Sequence, residues 1–106
     1  MRTASQIKQL AEVDIKKISD EKLLVTGELN FNTVPDLCQL ISTIAIAEHC
    51  TIDLSKVEYS DSAGLALLVN WLRQAKSQQK NIEFINPPHQ MQAIAKICGI
   101  SKILCF

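Results

Sequence analysis

The chain has 106 residues, 47% of them hydrophobic and 21% charged, with 11 basic and 11 acidic side chains that cancel to zero formal charge. A chain of this size buries roughly 65% of the surface it exposes when unfolded, enough for one core, so a second domain is excluded. Zero net charge leaves no electrostatic footprint for a phosphate backbone, whose non-specific binding rests on clustered Lys and Arg, and nucleic acid is not an expected partner.

In chain order, residues 1–12 read as an N-terminal extension ahead of one domain over 13–106. Met1 to Gln9 mixes Arg2, Ser5, Gln6 and Lys8 without an apolar segment, so neither a secretory signal nor a membrane span is expected there. Val13-Asp14-Ile15-Lys16 alternates, Ser19-Asp20-Glu21 supplies turn chemistry, and Leu23-Leu24-Val25-Thr26 follows, which predicts an opening hairpin. Beyond Gly27, the run Asn32-Thr33-Val34-Pro35-Asp36 carries helix-start signals. Val34, Leu37, Cys38, Ile41, Ile44 and Ala45 then fall at helical spacing.

Thr51 to Leu54 predicts a short buried strand, and a long helix is expected from about Ala63 to Gln78. Ile82 to Ile85 predicts another strand, stopped by Pro87-Pro88. A shorter helix carrying Met91, Ile94, Ala95 and Cys98 should end at Gly99, with Ile103-Leu104 as a last edge strand. The expected fold class is α/β: a mixed, mostly parallel sheet of about four to five strands with alternating helices.

Cys38, Cys50, Cys98 and Cys105 stand far apart, form no C-x-x-C pair, and read as small buried hydrophobes in a reducing, cytoplasmic setting. His49 and His89 lie at no finger-like spacing from them, so no metal site is expected. No histidine has a context that brings it to a serine, and the three glycines form no phosphate loop. No catalytic residue and no cofactor are expected; the protein is read as a binding module, not an enzyme.

The most informative segment is Asp61-Ser62-Ala63-Gly64, where a strand region meets a helix N-terminus with unpaired N–H groups. Asp61 or Ser62 could simply cap the helix. Alternatively, Ser62 could accept a phosphoryl group, with Asp61 and Glu58 opposing the added charge, or serve as a neutral docking contact. Along the helix, Leu65, Leu68, Val69 and Leu72 form one face and Leu67 and Trp71 another. The second face, flanked by Ala63, Asn70 and Gln74, needs either a neighbouring element of the same fold or another molecule; an exposed partner surface anchored by Trp71 ranks ahead of a rotated helix that packs Trp71 at the core edge.

Three segments, Val25-Thr26-Gly27-Glu28-Leu29-Asn30, Ile52-Asp53-Leu54-Ser55-Lys56-Val57 and Asp61-Ser62-Ala63-Gly64-Leu65, resemble in order and spacing the signatures of the STAS domain family. That family is shared by anti-sigma-factor antagonists and transporter regulatory modules. The second segment, Gly64 to Leu68 and Arg73-Gln74-Ala75-Lys76 most resemble the small cytoplasmic STAS subunit of an ABC transporter that moves phospholipids to maintain outer-membrane lipid asymmetry.

The resemblance implies a STAS fold and a non-catalytic subunit that binds the transporter's ATPase subunit at the inner face of the inner membrane, without membrane insertion. It also implies that Ser62 stands where the transporter subunits carry Thr and the antagonists carry their phosphorylated Ser. Ser-Ala-Gly replaces the usual Thr-Gly-Gly. The alternative partner is an anti-sigma serine kinase. The end at Phe106, where antagonists are expected to continue into a further helix, ranks the transporter reading first. The interface is expected to comprise Asp61, Ser62, Ala63, Gly64, Leu67 and Trp71.

Overall fold

A computed structural model describes residues 6–9, 13–43 and 46–106. Strands β1 (Gln6–Gln9), β2 (Val13–Ser19), β3 (Lys22–Leu29), β4 (His49–Ser60) and β5 (Asn81–Ile85) form one sheet in the order β1-β2-β3-β4-β5. Helices α1 (Val34–Leu37) and α2 (Leu40–Thr43) connect β3 to β4, and α3 (Ser62–Ser77) connects β4 to β5. Helices α4 (His89–Ile97) and α5 (Ser101–Leu104) complete the chain. The first three strands are antiparallel, and β3, β4 and β5 run parallel, as helical crossovers require. The expected mixed α/β sheet with its opening hairpin is present, and part of the N-terminal extension adds the edge strand β1.

Alternation along the strands selects which face is buried. Ile15, Leu23, Val25, Cys50, Ile52, Leu54, Ile82 and Phe84 point to the helix-covered side and are buried. Lys22, Asp53 and Glu83 lie on the other face, where Lys22 and Asp53 form an ion pair at 3.8 Å. Burial opposes ionisation of Asp53. Hydrogen bonds from Ser55 and Asn86 and the charge of Lys22 together outweigh it, holding the carboxyl below its ordinary value.

Strand β4 is far longer than the four residues expected. Two register shifts against β3, between Leu24/Thr26 and between Gly27/Glu28, break its alternation. After Leu54 the buried positions fall at Val57 and Ser60, a spacing of three that a period-two reading takes for loop.

The first helical region is two short helices in place of one; Ile44 and Ala45 of the expected stripe lie outside the described residues. Leu37, Leu40 and Ile41 supply its buried side. Ile103-Leu104 is a helical turn, not an edge strand: Leu104 N–H donates to Ile100 O, and one buried residue, Leu104, faces the core. The cysteines correct a further expectation, because Cys98 and Cys105 are exposed and Cys38 half-buried; Cys50 alone is buried, which raises its thiol pKa. Among the described residues no helix is long and apolar enough to cross a membrane.

Candidate functional site

The parallel strands β3 and β4 end side by side, and the site is built on that junction. Asp61 N–H donates to Leu29 O at 3.2 Å, tying the start of α3 to the end of β3. The Asp61 carboxylate caps the helix, accepting from Ala63 N–H at 2.9 Å and Gly64 N–H at 3.4 Å. Capping therefore falls to Asp61, and such a contact stabilises a helix by about 1 kcal/mol. Ser62, at the first helical position, is exposed, and its hydroxyl makes no hydrogen bond among the described residues.

Beneath that turn the packing is tight. Ser60 is buried, with its hydroxyl donating to Asp61 O and its N–H to Gln90 Oε1 on α4. A Cβ on Gly64 would lie 2.1 Å from Ser60 Oγ and 2.9 Å from Leu29 Cβ. Glycine at 64 is thus a condition for seating α3 on the strand ends, and its buried position gives it no side chain or surface to offer a partner.

Two aromatic residues that the sequence reading passed over flank the site. Asn30 Oδ1 accepts from Asn32 and Thr33 N–H groups, and Thr33 Oγ1 accepts from Asn30 N–H while donating to Glu28 O. This turn holds Phe31 at its tip with 73% of its surface exposed. Tyr59, opposite Glu28 in the parallel register, is 43% exposed. An apolar residue between two asparagines in a turn was the available signal, since a turn tip cannot reach the core.

Leu67 and Trp71 correct the expected interface, being 1% and 0% exposed. Helices α1 and α2 cover them. The break between those helices leaves carbonyls without helical partners, and α3 supplies the donors. Trp71 Nε1–H donates to Leu37 O at 2.8 Å, while the Asn70 and Gln74 side-chain amides donate to Cys38 O. The uncharged flanks read as a partner surface are therefore internal capping groups. Of the six expected interface residues, Asp61, Ser62 and Ala63 keep surface to offer, and Asp61 spends its carboxylate on the cap.

His49 lies at the opposite end of β4, beside Asn81, and no hydrogen bond among the described residues joins His89 to Ser62. No group of three metal-type side chains gathers among the described residues. The arrangement presents an exposed hydroxyl, a helix N-terminus and two exposed aromatic rings.

A family model described as "Mlab, STAS domain" matches residues 15–105. The intermembrane phospholipid transport system binding protein MlaB of Haemophilus influenzae is 30% identical over 96 residues, covering 83% of this chain and 90% of the relative. The anti-sigma-B factor antagonist of Listeria monocytogenes is 25% identical, covering 77% and 74%. The anti-sigma factor antagonist SpoIIAA in its unphosphorylated form shares the fold, with a TM-score of 0.63 at 17% identity over 85% of this chain and 83% of that one.

Proposed function

The chain belongs to the STAS domain family, and from that premise we propose that it is a non-catalytic assembly and regulatory subunit of a phospholipid-moving ABC transporter. The exposed first turn of α3 docks on the transporter's ATPase subunit at the cytoplasmic face of the inner membrane. The observation that carries this reading is Ser62: an exposed hydroxyl held on a capped helix, with Phe31 exposed on the turn after β3 and Tyr59 exposed near the end of β4. Exposed aromatic rings beside a small polar contact are the composition of an interface centre. The identity to MlaB over most of both chains supports the transporter as its context.

In this reading Asp61 sets the geometry of the turn, Ser62 and Ala63 meet the ATPase, and Phe31 and Tyr59 enlarge the contact. A second reading makes the protein an anti-sigma-factor antagonist that exchanges partners, one of them a serine kinase, when Ser62 is phosphorylated. It draws on the same hydroxyl, which is exposed to a kinase at the first position of a helix, and on the identity to the Listeria antagonist.

Purification of the native protein with its bound partner, followed by intact-mass measurement, separates the two. Co-purification of an ABC ATPase with unmodified Ser62 is the expected result. A serine kinase partner together with stoichiometric phosphate on Ser62 overturns the transporter reading.

A further inference from the structure

Away from Ser62, the C-terminal half of α3 and the start of β5 enclose an open cleft of about 480 Å³. Val69, Leu72, Ala75 and Ile82 form its floor, with Ile103 of α5 at one side. Arg73, Lys76 and Lys80 also line it. No acidic residue does, and these three cations make no ion pair among the described residues. In a chain of zero net charge this is a local positive rim over an apolar trough.

The backbone beside it is an edge. β5 is the last strand of the sheet, and Asn81 N–H is turned toward β4, donating to Glu48 O at 2.7 Å. Because successive residues of a strand point their N–H and C=O groups to opposite sides, those of Ile82 face away from β4. An extended chain laid there gains backbone hydrogen bonds, places apolar side chains in the trough and sets carboxylates against the rim.

We propose that this α3–β5 cleft docks an extended acidic segment of a partner protein, at a site separate from the Ser62 end. The floor decides between a polypeptide and a lipid surface. Ala75 and Ile82 are buried at 1% and 9% exposure and Val69 and Leu72 half-buried, so the apolar floor is recessed where a protruding side chain reaches it and a bilayer does not, and Ile103 alone among the apolar lining residues stands exposed at its side. A small metabolite would need fixed polar groups converging on it, and apart from Asn81, whose amide is held by His49, the polar groups here are long, unanchored side chains at the rim.

The test uses the intact chain and a short synthetic peptide of alternating leucine and glutamate, followed by amide chemical shifts at low salt. Shifts centred on Val69, Leu72, Ala75, Ile82 and Ile103 are expected. Affinity should fall about tenfold or more when glutamate in the peptide is replaced by glutamine, or when the protein carries Arg73→Glu with Lys76→Glu. Lys80→Gln should weaken binding less, and provides a second variant if the double charge reversal does not fold. Ser62→Glu should leave peptide binding unchanged, which keeps this result independent of the docking site above.

Equal binding of the glutamine peptide overturns the proposal. So does the absence of shifts with the acidic peptide, including the case in which phosphatidylglycerol vesicles produce them instead.

Discussion

The first turn of α3 and the two turns that follow it differ in what their polar groups do. In the first turn the Asp61 side chain accepts from the Ala63 and Gly64 N–H groups, leaving the Ser62 hydroxyl without a hydrogen bond among the described residues. In the following turns the polar groups look outward from the helix but not outward from the protein: Asn70, Trp71 and Gln74 all donate to carbonyls at the end of α1. Polarity on a helix face therefore does not identify a binding surface until the neighbouring backbone has been accounted for. The comparison assigns stability to the middle of α3 and recognition to its start.

Substitutions should separate those assignments. The largest loss is expected from Trp71→Ala, which removes a fully buried ring and leaves Leu37 O unpaired; a destabilisation of about 3–5 kcal/mol should appear in urea unfolding. A cost below about 1 kcal/mol would mean that the α1–α3 seam is not part of the core. Gly64→Ala should cost about 1–3 kcal/mol, because its methyl group would overlap Ser60 Oγ and press on Leu29. Combining it with Ser60→Gly, which removes the nearest obstruction, should recover part of that loss.

Smaller effects sharpen the other side of the comparison. Phe31→Ala should change unfolding stability by no more than about 0.5 kcal/mol, since the ring is largely exposed, while weakening ATPase binding by about tenfold in calorimetry. On the open face of the sheet, Asp53 contributes a pH dependence. Its folded pKa is lowered, so its stabilisation is present above the unfolded carboxylate value and is lost as pH falls through the folded one. Asp53→Asn should therefore cost less than about 1 kcal/mol at neutral pH and flatten the acid limb of the stability curve.

The hairpin of β2 and β3, the strand β5 and the helices α3 and α4 are legible because their apolar residues recur at the period of their element. The full length of strand β4 is not legible, because its bulges convert period two into a spacing that resembles neither strand nor helix. Ile103-Leu104 reads as a strand for a different reason: two adjacent apolar residues cannot distinguish a strand from a single helical turn. At the site, Asp61 and Ser62 were visible in the junction of strand and helix. The burial of Leu67 and Trp71 was not, because it depends on a break between α1 and α2 that leaves carbonyls for α3 to satisfy. Phe31 is not legible in the sequence because a lone aromatic in a turn has no periodicity to mark it.

The central claim is tested most directly by measuring two quantities, unfolding free energy and affinity for the ABC ATPase subunit, on Ser62→Glu and Trp71→Phe. An acid at the first position of α3 suits the helix dipole, so Ser62→Glu should unfold within about 0.5 kcal/mol of the parent while losing affinity about 100-fold, because the added charge becomes buried in the contact. Trp71→Phe should lose about 2 kcal/mol of stability with its missing N–H and ring volume, yet bind within about threefold of the parent wherever it is folded. Unchanged affinity in Ser62→Glu, with lost affinity in a fully folded Trp71→Phe, would contradict the assignment of recognition to the start of α3.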